Sequence, residues 1–225
     1  MNKQTTDVDY IFCILGHNFS NNFLNSWSET LVMLEKDLKA SYIWRIHYEA
    51  LVASTRNTLI AGLGEDNPYI EEKEGLIYKT PFLGKYKCKK VIFLDDDMVW
   101  TWEDMKRLLV TPHNILSGFY INRHNGVVGH GINNKAVTLN QIKTEPFPFE
   151  IHFCGFGFVS IDYEVFKNMS YPWFESGHNL EPEAIFDLIG EDYYFCSKAR
   201  SLGYKIMGDP AIRLGHEKKH IMRIM

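Results

Sequence analysis

Three consecutive carboxylates, Asp95, Asp96 and Asp97, follow directly on the apolar run Val91-Ile92-Phe93-Leu94. Like charges held side by side repel, and a bound cation is the simplest way to keep all three ionised. An apolar run without polar alternation reads as a strand buried on both faces. Sheets built from such strands take their ligands beyond the strands' carboxyl ends, which is where the aspartates stand. Alternation along a strand puts Asp95 and Asp97 on one face and Asp96 on the other. That pair suits a hard divalent ion, Mg²⁺ or Mn²⁺, which takes oxygen ligands and often completes its shell with substrate phosphates. The competing reading is a solvated acidic strand end, or acids complementing the start of a helix predicted over residues 102–109.

Other residues could join this chemistry. Gly190-Glu191-Asp192 opens a helical pattern in which Asp192, Phe195, Ala199 and Leu202 share one face. Asp192 therefore stands on the inward stripe at the positive end of the helix, where a carboxylate can act as a general base. Glu191 is its close competitor, and first-turn acids also occur simply to complement the helix dipole. His216 lies just beyond a strand predicted over 211–214 and could complete a mixed oxygen and nitrogen metal site, with His220 on the same tail as the alternative. Gly155 and Gly157 bracket Phe156 within a strand pattern, which marks a bulge or a close approach by ligand or backbone; ordinary packing explains them as well, and they lack the third glycine and following helix of a dinucleotide fingerprint. Arg56 is the residue type that pairs with diphosphates, although a surface arginine on a helix is the commoner case. Gly16-His17-Asn18 breaks the first strand as either a ligand loop or a turn.

The elements that must position these residues read as an α/β domain. A strand at Tyr10–Leu15, a helix over 21–39 with Leu24, Trp27, Leu31, Leu34 and Leu38 on one stripe, a strand at Tyr42–His47 and a helix over 51–63 make a β-α-β-α unit. Residues 65–86 carry Pro68, Gly75, Pro81 and Gly84 and read as an insertion or loop. After the aspartates come a helix at 102–109, a strand at 115–120, and a hairpin on Asn125-Gly126 joining 119–123 to 127–130. Strands follow at 136–142 and 151–161, then a short helix at Tyr163–Asn168 and an aromatic, acidic loop over 171–187. A final helix at 191–202 ends at Gly203 and leads to strands at 204–207 and 211–214.

Composition bounds the function. The 225 residues are 45% hydrophobic, enough for a sizeable core, and 14% aromatic, which suits clefts as well as cores. A net charge of −4 offers no global field for nucleic acid or an anionic membrane. Cys13, Cys88, Cys154 and Cys196 have no paired-ligand spacing and read as buried free thiols of a reducing compartment. The polar, acidic start is unlike a secretory signal, and no apolar run nears the roughly 20 residues of a membrane span. A soluble, cytoplasmic protein is expected.

The ordered set of Ser54-Thr55-Arg56-Asn57, Phe93-Leu94-Asp95-Asp96-Asp97-Met98, Ser117-Gly118-Phe119-Tyr120, Gly155-Phe156-Gly157-Phe158-Val159 with Tyr163-Glu164-Val165-Phe166, Gly190-Glu191-Asp192-Tyr193-Tyr194-Phe195-Cys196 and Asp209-Pro210-Ala211-Ile212-Arg213-Leu214-Gly215-His216 resembles nucleotide-sugar glycosyltransferases of the GT-A fold, near the large family two and its phage and bacterial relatives. The resemblance implies one GT-A domain over 1–225, with a mostly parallel central sheet flanked by helices and a small antiparallel sheet. Its nucleotide-binding half would cover about 8–100 and its acceptor half about 101–225. It implies Mn²⁺ or Mg²⁺ on Asp95, Asp97 and His216, with Asp95 and Asp96 also near the donor. Gly16, His17 and Arg56 would face the nucleotide, Gly155 would line the donor site, and Phe156 and Trp173 would stack on sugar. Asp192, or Glu191, would be the base for inverting transfer from a nucleotide-sugar donor, a UDP-sugar being the expected one. The acceptor is open among a glycan, a glycoprotein, a small molecule and a modified nucleic-acid base, for which Lys85–Lys90 and Lys218–Arg223 could form local contacts. The first loop lacks the proline-rich start of many relatives, and 65–86 has no counterpart in them.

Two rivals stand beside this reading. Asp95-Asp96-Asp97-Met98-Val99 also fits the nucleophile motif of haloacid-dehalogenase-type phosphohydrolases, but that motif sits on the first strand of its core and here a β-α-β-α unit precedes it. A non-catalytic nucleotide-sugar-binding protein would need neither the acids nor the histidine, and all are present.

Overall fold

The computed structural model describes residues 5–62, 70–121, 127, 130, 131, 136–178 and 188–218. In chain order the main elements are β1 (Tyr10–Leu15), α1 (Asn21–Met33), β2 (Tyr42–His47), α2 (Val52–Ala61), β3 (Lys90–Asp95), α3 (Trp102–Val110), β4 (Ile115–Phe119), β5 (His130–Gly131), α4 (Leu139–Thr144), β6 (Phe149–Phe153), β7 (Phe158–Asp162), α5 (Tyr163–Asn168), α6 (Glu191–Ser201) and β8 (Ile206–Arg213). The strands form one sheet in the order β5-β6-β8-β4-β7-β3-β1-β2. Only β6 and β7 run against the rest, so six of the eight strands point one way.

The unbroken apolar runs follow from two covered faces. Ile11, Cys13, Leu15, Val91 and Phe93 face a core shared with Leu59 and Ile60 of α2, Phe166 of α5 and Phe195 of α6. Tyr10, Phe12, Ile14, Ile92 and Leu94 face a second core with Phe23 and Trp27 of α1 and with Met105, Leu108 and Leu109 of α3. Side-chain caps fix some of the helix starts, whereas α2, α5 and α6 have none. The Ser20 hydroxyl caps α1 by accepting from the Phe23 amide, and Thr101 with Asp104 forms a capping box on α3. Cys13, Cys154 and Cys196 are buried and Cys88 is half-buried. Among the described residues no helix is long and apolar enough to cross a membrane.

Several elements differ from expectation. The predicted helix over 21–39 closes its last part as a π-type turn, Leu34–Leu38, ending at a left-handed Lys39. The strand predicted over 136–142 is instead α4: Thr138 and Gln141 form a capping box, and this local helix-start signal outweighs the short apolar alternation. The strand predicted over 151–161 is two strands, β6 beside β8 and β7 between β4 and β3, with Gly155 and Gly157 in the connection between these separate positions. The two strands predicted near the C-terminus are one, β8, whose register shifts between Gly208 and Arg213 around Pro210. The predicted insertion contains a hairpin of Ile70–Lys73 with Leu76–Lys79 and a 3₁₀ turn at Pro81–Gly84, residues 63–69 lying outside the described residues. Ile121 and Val127 pair antiparallel, whereas a two-residue turn on Asn125-Gly126 would set Val127 opposite His124; residues 122–126 lie outside the described residues.

Asn57, inside α2, holds the aromatic loop after α5. Its Nδ2 donates to the carbonyls of Phe174 (2.6 Å) and Ala53 (2.9 Å), and its Oδ1 accepts from the amides of Trp173 (3.1 Å) and Phe174 (3.2 Å). All the capacity of the side chain is used in a buried setting, so truncation strands several backbone groups. Asn57→Ala is expected to lower stability by about 2–4 kcal/mol in urea unfolding; a loss under about 1 kcal/mol would show that the loop finds other partners.

Candidate active site

β3 stops at Asp95, and Asp96 and Asp97 form a turn before the short strand Met98–Val99. The turn breaks the alternation and sends the three carboxylates to three different partners. Asp95 turns inward, and its Oδ1 accepts from Nη2 of Arg56 at 3.3 Å. Asp96 turns back to the first loop, where Oδ2 faces the amides of His17 (3.3 Å) and Asn18 (3.4 Å). A Cβ on Gly16 would lie 2.2 Å from the Asp96 Cβ, so this close approach admits only glycine. Asp97 turns toward the C-terminal segment, with Oδ2 at 3.1 Å from Nε2 of His216 and 2.8 Å from Nζ of Lys218.

Arg56 is buried, its side chain 3% exposed. Besides Asp95, its guanidinium reaches Oε1 of Glu191 through Nε (3.2 Å) and the Phe156 carbonyl through Nη1 (3.3 Å), and it lies near the rings of Phe93 and Phe156. Burial pushes the Asp95 carboxyl above the usual range while Arg56 pulls it down. Arg56, expected to face a diphosphate, thus ties β3 to the start of α6 and to the β6–β7 connection.

His216 is oriented from behind. Its Nδ1 lies 2.5 Å from the Ile121 carbonyl, an acceptor only, so Nδ1 carries the proton, and the ring meets Tyr120 edge-on at 5.2 Å. In the neutral ring Nε2 then presents a lone pair to the Asp97 carboxylate. Two acceptors face one another, an arrangement that a ring proton or a cation satisfies, and an outer carbonyl on Nδ1 is how metal-binding histidines are commonly fixed. Asp97 and His216 therefore fit a divalent ion. Asp95, the third expected ligand, does not join them, and among the described residues no three histidine, cysteine or acidic side chains converge on one point. The physical reason is the turn at Asp96, which takes Asp95 and Asp97 off a common face.

Asp192 sits in the first turn of α6, with Oδ1 accepting from the Tyr193 amide at 2.7 Å. Burial, then the neighbouring Glu191 charge, pushes its carboxyl up to about 6. Glu191 is engaged with Arg56, which separates the two candidates for a base.

A cleft of about 180 Å³ opens at the carboxyl ends of β1, β2 and β3, lined by Leu15, Gly16, Tyr48, Glu49, Val52 and Thr55 together with Asp95, Asp96 and Asp97. The His17 ring lies 4.0 Å from that of Tyr48. Tyr48 and Glu49 were not foreseen, although they follow β2 as the aspartates follow β3. His47 (2.6 Å) and the Ser54 hydroxyl (2.5 Å) hold the Glu49 carboxylate and lower its pKa. The expected stacking residues lie elsewhere. Trp173 is 0% exposed, with Nε1 donating to the Phe166 carbonyl, and Phe156 is buried among Phe93, Phe174 and Phe195. Both are core residues, because loop aromatics here complete the core under α6 instead of facing solvent. Gly155 is likewise buried, in the connection beside Phe156.

No protein-family model and no curated protein matches the chain. Solved structures do. A197 from STIV shares 18% identity over 96% of this chain and 98% of its own, with a TM-score of 0.52. GalNAc-T7, solved with UDP, GalNAc and Mn²⁺, shares 11% identity over 93% of this chain and 43% of its own, with a TM-score of 0.53. The catalytic domain of Drosophila β1,4-galactosyltransferase 7, solved with xylobiose, shares 12% identity over 94% of this chain and 71% of its own, with a TM-score of 0.48. The likeness to A197 and GalNAc-T7 is one of fold, and the chain has the GT-A fold.

Arg56→Met removes the partner of two partly buried carboxylates and is expected to cost about 2–4 kcal/mol in urea unfolding, discounted for their residual exposure. Arg56→Lys should restore only part of this, since an ammonium lacks the fork that reaches three acceptors. Full stability in Arg56→Met would contradict this assignment.

Proposed function

We propose that the chain is a glycosyltransferase that moves a sugar from a nucleoside-diphosphate donor, a UDP-sugar first among them, to an acceptor hydroxyl with inversion. The observation that carries the reading is the pairing of Asp97 with His216, whose ring is fixed by Ile121, beside a cleft at the carboxyl ends of β1–β3. The fold is shared with GalNAc-T7, whose structure holds UDP, GalNAc and Mn²⁺. Asp97 and His216 would hold Mn²⁺ or Mg²⁺, which when bound supplies positive charge against a diphosphate leaving group.

This chain's own residues do the rest. The loop at Gly16 and His17, kept in place by Asp96, and the wall at Tyr48 receive the nucleoside end of the donor. Asp192, with a carboxyl near 6, is ionised at neutral pH and still basic enough to take the acceptor proton. Attack by that oxygen on the face opposite the diphosphate inverts the sugar carbon. Arg56 and Glu191 act as positioning residues that set the start of α6 against β3. A phosphohydrolase of the haloacid-dehalogenase type would need Asp95 as nucleophile, and Asp95 is bonded to Arg56.

Calorimetric titration of UDP, GDP and CDP with and without Mn²⁺ tests the reading. Metal-dependent binding of one of them is expected, lost in Asp97→Asn and kept in Asp192→Asn, which should abolish transfer alone. No binding of any nucleotide under either condition would overturn it. Because Asp192 works ionised, the transfer rate should fall as pH drops through about 6. Glu191→Gln removes a charge that raises the Asp192 pKa and should move this limb to lower pH. A rate flat from pH 5 to 8 would exclude Asp192 as the base.

A further inference from the structure

The segment after β8 is strapped across the acidic turn. Gly215–His216 pairs antiparallel with Met98–Val99, the Glu217 amide donates to the Asp97 carbonyl at 2.8 Å, and the Glu217 carboxylate accepts from Asn22 Nδ2 at 2.6 Å. These anchors, on three different residues, bring Lys218 to the turn. Its ammonium donates to Asp97 Oδ2 at 2.8 Å, the same oxygen that faces His216 Nε2 at 3.1 Å. The oxygen best placed to receive a divalent ion therefore already has a cation.

We infer that Lys218 is a placeholder for the divalent ion. It neutralises Asp97 while the site holds no nucleotide, and it moves to the diphosphate when nucleotide and cation bind together. The inference rests on the metal reading proposed above. Two cations on one carboxylate oxygen repel, so the ammonium and the divalent ion exclude each other there. The released ammonium needs a new anion, and a diphosphate bound in the adjoining cleft supplies one. The lysine stem is flexible and its three donors can turn, whereas the rest of the strap is held by backbone pairing. The consequence is a coupling: free cation binds weakly, nucleotide relieves the competition, and each ligand strengthens the other by the same factor. Lys218 is partly exposed, its side chain 39% accessible, so the competition is modest.

The test compares the full chain with Lys218→Met and Lys218→Arg, each first checked for an unchanged thermal unfolding midpoint. Free Mn²⁺ is followed by paramagnetic resonance without nucleotide, and UDP is titrated by calorimetry in saturating Mn²⁺. Lys218→Met should bind Mn²⁺ alone about 2- to 5-fold more tightly and UDP with Mn²⁺ about 2- to 5-fold more weakly, while Lys218→Arg stays near the parent. Mn²⁺ affinity that is unchanged or weaker in Lys218→Met, or no binding of Mn²⁺ alone by either protein, would overturn the placeholder. Mn²⁺-dependent UDP binding by the parent chain reports on the transferase reading separately. If it is present while Lys218→Met matches the parent, only the placeholder falls.

Discussion

The Arg56 guanidinium bonds the carboxylates of Asp95 and Glu191 and the Phe156 carbonyl, with the rings of Phe93 and Phe156 close by. Its partners come from three separate parts of the chain: the end of β3, the first turn of α6 and the connection between β6 and β7. A buried charge of this kind is tolerated only when its geometry is fully met, so each partner constrains the others. Asp192 follows Glu191 directly, and the Asp96–Asp97 turn follows Asp95 directly. The distance between the acidic turn and the start of α6 is therefore set through one side chain. The electrostatics agree: Arg56 uses positive charge to hold Asp95 and Glu191, and Asp192 beside them keeps a raised pKa because it is buried and, second, because the Glu191 charge adjoins it.

The turn after β3 divides labour among three identical side chains. Asp95 builds the frame, Asp96 pins the first loop by its amides, and Asp97 faces His216 and Lys218. Mutual repulsion, the feature that first marks the triplet, still raises the Asp95 pKa through Asp97 and Asp96, though less than burial does. What remains for a cation is a single carboxylate and a histidine whose ring orientation is fixed from its far side.

Much of this was legible in the sequence where one local rule dominates. The buried run into Asp95 follows from packing on both faces of the sheet, and the helix Tyr163–Asn168 from its sequence pattern. The place of His216 just beyond β8, facing Asp97, agrees with its expected position beyond a strand end. The rest depended on the chain leaving regular structure. Strand alternation could not foretell that β3 stops at Asp95, and so it grouped Asp95 with Asp97 on one face. Arg56 looks like a surface helix residue until α6 is packed over it. Trp173 and Phe156 look like cleft aromatics until Asn57 draws their neighbourhood into the core. The helix α4 is announced only by Thr138 and Gln141, a capping pair whose signal competes with a short apolar pattern.

The most direct measurement is anomalous diffraction from crystals of the chain grown with Mn²⁺ and UDP. A manganese peak ligated by Asp97 and Nε2 of His216, with Arg56 still on Asp95 and Glu191, is the result this account predicts. A peak ligated by Asp95, with Arg56 released toward the diphosphate and His216 uninvolved, would contradict it.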